Sequence, residues 1–130
     1  MRILIVDDEE ETLSVMSRFL ESTNAEILTE SNSAEAARYI TSERFDAMMI
    51  DYVMAPPNGL ELTRLARKSS VNNMTPIILV TGYDDFETRE KGAQAGATSI
   101  LGKPFSPEKI RSVLRSALTN RCFAEAPKVD

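Results

Sequence analysis

Apolar residues along this chain fall into five short runs, each giving way to polar or charged positions. Residues 3–6 (ILIV), 47–50 (AMMI) and 77–80 (IILV) are apolar without interruption, as strands covered by helices on both faces require. Residues 25–31 carry weaker apolar character around Ile27 and Leu28, which predicts an edge strand. A short fifth strand is predicted over 98–101, just before Gly102, Lys103, Pro104 and Phe105. Between these runs the period changes to that of a helix. Leu13, Met16 and Leu20, widened by Val15 and Phe19, predict a first helix over 10–21. Ser33 is placed to cap a second through Arg38, Tyr39 and Ile40, with Glu35 in its first turn. Asn58 and Glu61 stand at capping-box spacing ahead of the inward stripe Leu62, Leu65 and Ala66. Residues 68–73 form the longest irregular connection.

Asp84 and Glu87 predict another capping box, opening a helix over 84–95 whose stripe, Phe86 and Ala93, is thin. Gly92 inside it costs about 1 kcal/mol relative to alanine, so this helix is expected to be the most loosely held. Ser106, Pro107 and Glu108 then open the clearest amphipathic helix, lined by Ile110, Val113, Leu114, Ala117 and Leu118. From Thr119 the pattern fades. One domain over 1–120 is expected, with 121–130 a C-terminal tail or the start of a linker.

Strand and helix thus alternate five times with short connections, which forces parallel strands and right-handed crossovers. The expected fold class is α/β: a doubly wound five-stranded parallel sheet in the flavodoxin-like order 2-1-3-4-5, with helices on both faces. In that order the carboxyl ends of four neighbouring strands carry Asp7 and Asp8, Asp51, Thr81 and Lys103. Asp51 stands between a buried run and the breaker Pro56-Pro57-Asn58-Gly59, where open α/β sheets place their chemistry. Taken singly, Asp8 reads as a helix cap, Thr81 as a strand-end hydroxyl and Lys103 as a solvated charge. Jointly they make a crevice with three acids, more than a cap needs. Such carboxylates resist ionising together unless a cation compensates. Lys103 supplies one charge, and with all-oxygen ligands Mg²⁺ is the natural candidate for the rest.

Composition narrows the function classes. The chain has 130 residues, 42% hydrophobic and 27% charged, enough for one globular domain without a metal or disulfide staple. A net charge of −5 argues against direct nucleic-acid binding, which needs a basic face, and against anionic membrane surfaces. No apolar run approaches a membrane span, and the four apolar residues before Asp7 are too few for a signal peptide. Cys122 is the lone cysteine, expected as a free surface thiol in a reducing compartment, hence a cytoplasmic location. The absence of histidine leaves that thiol without an activating base.

The motifs VDDEE after the first strand, MMIDYVM, the VTG of the fourth strand and GKPF after the fifth resemble the receiver domain of two-component response regulators. The likeness covers residues 2 to about 118, and the spacings from Asp8 to Asp51, Thr81 and Lys103 look like the family's. The resemblance implies that Asp51 accepts a phosphoryl group from a histidine kinase or a histidine phosphotransfer protein. It implies that Asp8, Asp51 and the Val53 backbone carbonyl hold Mg²⁺, with Asp7 helping through water, and that Thr81 and Lys103 contact the phosphate. It also implies a cis Lys103–Pro104 bond, an output domain or effector, and no enzymatic activity beyond self-phosphorylation and autodephosphorylation. The phosphorylated state is expected to move the loop from Gly82 and the fourth helix. The face of that helix, the fifth strand and the last helix is then the expected partner or homodimer surface. Two positions depart from the family pattern: Ile100 replaces the usual aromatic, and Ala55 stands where proline is usual. Two other readings remain: a degenerate receiver that only binds partners, and a metal-dependent phosphatase-like enzyme. The first predicts loss of an acid, the threonine or the lysine, and the second a further acid close after Asp51; neither is found.

Overall fold

The computed structural model describes residues 1–125, with side chains described to residue 119. Strands β1 (Arg2–Val6), β2 (Glu26–Glu30), β3 (Ala47–Asp51), β4 (Ile77–Thr81) and β5 (Ser99–Gly102) form one sheet in the order β2-β1-β3-β4-β5. Every neighbouring pair is parallel. Helices α1 (Glu10–Phe19), α2 (Ser33–Ser42), α3 (Gly59–Lys68), α4 (Phe86–Ala95) and α5 (Pro107–Glu125) make the crossovers, with a 3₁₀ turn at Glu21–Thr23. The expected fold and strand order are those observed.

The two-residue period of the strands divides the core into two layers. Ile3, Ile5, Met49, Ile78 and Val80 meet Leu13 and Met16 of α1 and Ile110, Leu114 and Ala117 of α5. Leu4, Val6, Met48, Ile50 and Leu79 face the other way, onto Ala36 and Ile40 of α2 and Leu62 and Ala66 of α3. Every residue of β3 and β4 is buried, including Asp51 and Thr81 at their ends. Uninterrupted apolar runs are what such doubly covered strands need.

Local structure departs from expectation at four places. Asn32 caps α2, its side chain accepting from the Glu35 N–H at 3.0 Å, and Ser33 is the first helical residue. Displaced from the cap, the Ser33 hydroxyl donates to the Ala55 and Pro56 carbonyls at 3.2 and 3.3 Å. Asp85 caps α4 through the Thr88 N–H at 2.8 Å, while Asp84 pairs with Arg89 at 2.5 and 2.9 Å. Phe86 does not face the core: α4 buries Thr88, Gly92 and Ala95, and Phe86 is 80% exposed. Small residues allow this, because a Cβ on Gly92 would sit 3.0 Å from Ile100 Cδ1 and 3.2 Å from Leu79 Cδ1. Finally, α5 continues through Glu125, past Thr119 where the apolar pattern fades. The Cys122 side chain and residues 126–130 lie outside the described residues.

The connection after α3, expected to be irregular, is tied down by polar contacts. The buried Asn72 side chain accepts from the Phe45 N–H and the Thr75 hydroxyl, and donates to the Ile40 and Glu43 carbonyls. Arg67 donates to the Gly96, Asn72, Asn73 and Thr75 carbonyls, at 2.7 Å in the last case. Burial lowers the Arg67 pKa from its ordinary value. Among the described residues no helix is long and apolar enough to cross a membrane.

Candidate functional site

The parallel order brings the carboxyl ends of β1, β3, β4 and β5 to one edge of the sheet, and the side chains there converge. Asp7 follows β1 and is buried, with Oδ1 accepting the Glu9 N–H at 2.9 Å. That bond satisfies one of the free donors where α1 begins, and α1 has no side-chain cap of its own. Asp8 is therefore not the helix cap; it is exposed at the crevice mouth. Asp51 closes β3 at 6% exposure. One oxygen from each of Asp7, Asp8 and Asp51 lies within 4.8 Å of the others.

Lys103, just after β5, reaches two of these carboxylates. Its Nζ stands 3.5 Å from both Asp7 Oδ2 and Asp51 Oδ1, so Asp7 divides its two oxygens between α1 and the lysine. The Lys103 backbone N–H donates to the Thr81 carbonyl at 2.7 Å, and the Lys103–Pro104 bond is cis, as the resemblance implies. The Pro56–Pro57 bond is also cis, in the loop where Ala55 departs from the family pattern. Thr81 is buried, and its hydroxyl oxygen accepts the Tyr83 N–H at 3.0 Å. An accepting hydroxyl keeps its own proton for donation. Val53 lies two residues beyond Asp51 in the loop that leaves β3, with its side chain exposed. Beside Lys103 a groove of about 480 Å³ opens between α1 and the β5–α5 loop, lined by Val15, Phe19 and Phe105.

Burial is the chief cause that raises the Asp51 pKa to about 6, and the Asp7 charge adds to it; Lys103 works in the opposite direction. Asp7 is also raised, mainly by burial, against the lowering effects of the Glu9 N–H and Lys103. Burial disfavours the Lys103 ammonium, yet Asp51 and Asp7 outweigh it and hold its pKa above the ordinary lysine value. One ammonium thus stands among three carboxylates, and the charge is unbalanced. A small hard dication fits this donor set: oxygen ligands, close together, partly buried and short of positive charge.

The model of the response regulator receiver domain matches residues 3–115. The chain belongs to that family. This receiver domain is 34% identical over 118 residues to the response regulator MprA of Mycobacterium avium, a match that takes in 91% of this chain and 51% of that protein. It spans about half the length of the curated relatives it matches. The chemotaxis protein CheY4 of Vibrio cholerae superposes with a TM-score of 0.84 at 30% identity, covering 89% of this chain and 97% of that one. The receiver domain of the sensor histidine kinase PA1611 of Pseudomonas aeruginosa superposes with a TM-score of 0.82 at 26% identity, covering 91% and 97%. That structure carries a magnesium ion coordinated in its active-site cleft.

Two contacts at this receiver crevice are absent from the sequence reading. The Glu9 N–H on Asp7 has no signature, because any residue but proline supplies that donor. Gly59, which the sequence marks only as a chain breaker, packs against the backbone of Asp51 itself.

Proposed function

We propose that Asp51 of this receiver domain is the phosphoacceptor of a two-component signalling pathway. The observation that carries the reading is the arrangement around that carboxylate: an ammonium 3.5 Å away, shared with Asp7, and oxygens of Asp7 and Asp8 within 4.8 Å. In the transfer, an Asp51 oxygen forms the O–P bond as the P–N bond of a donor phosphohistidine breaks. The electron pair stays on the imidazole nitrogen, which takes up a proton. Lys103 balances charge on the transferring oxygens, and the Thr81 hydroxyl, already accepting from Tyr83, donates its proton to one of them. Asp8, Asp51 and the Val53 carbonyl would hold Mg²⁺, with Asp7 acting through water; bound there, the ion supplies the positive charge that phosphoryl transfer demands. Hydrolysis of the acyl phosphate by water returns Asp51 to its free form, so the chain acts only on itself.

The donor has to be another protein or domain, since this chain holds no histidine. A histidine kinase or histidine phosphotransfer protein seated along the groove beside Lys103 would lie next to the reacting carboxylate. The rest of the proposal follows the family: a cytoplasmic location, an output domain or effector downstream, and a homodimer or partner surface on α4, β5 and α5. The domain boundary near residue 120 belongs to the same reading. The test is to incubate the chain with Mg²⁺ and phosphoramidate and follow its mass. A gain of one phosphoryl group is expected, lost in Asp51→Asn and in chelator. Undiminished labelling of Asp51→Asn would exclude the assignment.

A further inference from the structure

Gly59 is the first residue of α3 and is buried. A Cβ built on it would lie 2.5 Å from the Asp51 carbonyl oxygen, 2.9 Å from Tyr52 Cα and 3.1 Å from the Asp51 carbonyl carbon. All three are backbone atoms, so no change of rotamer relieves the contact. Its backbone φ is not in the left-handed region, where the described glycines include only Gly96. Glycine is thus required here for closeness and not for conformation.

The close approach is held from several directions. The Gly59 N–H donates to the Tyr52 carbonyl at 3.3 Å, and the buried Thr63 hydroxyl donates to the Gly59 carbonyl at 2.8 Å. The Asn58–Glu61 capping box fixes the same turn. The first turn of α3 is therefore seated on the last peptide of β3, the one that carries the Asp51 side chain.

We infer that Gly59 is a positioning residue for Asp51: its bare Cα lets α3 abut the end of β3, and this contact sets where the Asp51 carboxylate stands relative to Asp7, Asp8 and Lys103. The inference rests on the phosphoacceptor reading above. A methyl group at position 59 has to push the Asp51 peptide or the helix aside by a substantial part of an ångström. The Asp51–Lys103 contact, at 3.5 Å, is already at the limit of a hydrogen bond. Small misplacements of a reacting group reduce rates far more than they reduce stability.

Three variants separate positioning from simple loosening of α3. Gly59→Ala perturbs the contact directly. Thr63→Val removes only the hydroxyl bond that steadies the turn. Ala66→Gly weakens the same helix at its other end, where Ala66 faces the core and not the crevice. Each is measured by thermal melting, by calorimetric titration with Mg²⁺, and by the rate of phosphorylation against phosphoramidate concentration. Gly59→Ala should weaken Mg²⁺ binding and lower the maximal rate by about tenfold each, with the half-saturating donor concentration unchanged. Thr63→Val should move both in the same direction by about two- to threefold, while Ala66→Gly lowers only the melting temperature.

Wild-type Mg²⁺ binding and rate in folded Gly59→Ala would overturn the inference, as would equal kinetic losses in Ala66→Gly. If Gly59→Ala does not fold, Thr63→Val decides: a shift supports positioning and wild-type behaviour refutes it. A wild-type chain that takes no phosphate would instead sink the phosphoacceptor reading, and Mg²⁺ titration of the same variants would still decide what Gly59 does.

Discussion

Helices α3 and α4 stand side by side on one face of the sheet, each ten residues long and each with a side-chain cap, yet they are held by different forces. Helix α3 buries Leu62 and Ala66, and Arg67 near its C-terminal end donates to three carbonyls of the connection that follows and to that of Gly96, where α4 ends. Helix α4 buries only Thr88, Gly92 and Ala95, and offers its one large apolar residue, Phe86, to solvent. A fully buried leucine contributes about 1.5–3 kcal/mol, which α4 has nothing to match. The crevice acid Asp51 lies on the strand that leads into α3, and Thr81 on the strand that leads into α4. The proposed acceptor is thus anchored to a rigid neighbour, and the proposed phosphate sensor to a weakly held one. An element with little packing energy is the one whose populations a modest differential interaction can shift.

The strongest test of the rigid side is Asn72. Its side chain is fully buried and makes four bonds, to the Phe45 N–H, the Thr75 hydroxyl and the Ile40 and Glu43 carbonyls. Truncation would leave buried polar groups unpaired, so Asn72→Ala should cost about 3–4 kcal/mol in urea unfolding. A loss below about 1 kcal/mol would mean that water replaces the side chain and that this connection is as loose as its sequence implies.

That connection also marks the limit of what the sequence could show. The strands and their order were legible because uninterrupted apolar runs and short connections leave few topologies. Asp51, Lys103 and the acid pair were legible for the same reason, since each stands at a strand's carboxyl end and topology brings those ends together. Asn72 was not legible: its partners are 27 to 32 residues away in the chain, apart from Thr75. The caps of α2 and α4 were misplaced by one residue because Asn32-Ser33 and Asp84-Asp85 each offer two residues able to cap. Phe86 was assigned to the core on spacing, but the side of α4 that meets the sheet is chosen by Gly92, whose missing side chain permits the closest approach.

The next largest effect belongs to the crevice, on the strand shared with the rigid side. Asp51 titrates near 6 in the folded chain against an ordinary 3.8, so the folded state holds its proton more tightly than the unfolded state does. With chelator present, stability from this group is therefore full below about pH 4, falls between 4 and 6, and is gone above. Asp51→Asn removes that penalty and should stabilise the metal-free domain at pH 7 by about 1–3 kcal/mol, with little difference at pH 4. Equal gains at both pH values would show that packing and not charge is responsible. Saturating Mg²⁺ should stabilise the wild-type chain and not the variant, reversing the order of the two melting curves.

Gly92→Ala probes the weak side. Alanine gains about 1 kcal/mol of helix propensity, but its methyl would meet Ile100 Cδ1 at 3.0 Å and Leu79 Cδ1 at 3.2 Å. Both are ends of flexible side chains, so the gain and the crowding should nearly cancel, leaving stability within about 0.5 kcal/mol of wild type. Amide exchange over 86–95 resolves the two contributions: slower exchange means that propensity wins, and faster exchange that α4 is lifted from the sheet. A loss above about 2 kcal/mol would contradict the view that α4 is weakly held, because it would show packing as tight as that of α3.

The smallest effect on stability is expected at Phe86. With four-fifths of its surface in water, the ring gains little from folding, and Phe86→Ser should change unfolding stability by less than about 0.5 kcal/mol. A loss above about 1 kcal/mol would place the ring against the core and restore the apolar stripe that its spacing suggests. The same substitution separates two uses of the exposed ring. If the proposed homodimer forms through α4, β5 and α5, sedimentation of the chain loaded with beryllium fluoride and Mg²⁺ should show weaker self-association in Phe86→Ser than in wild type. Unloaded wild type and variant should sediment alike. An equal dimer in both loaded forms would take Phe86 off the interface and leave α4 with neither a core anchor nor a partner for its largest side chain.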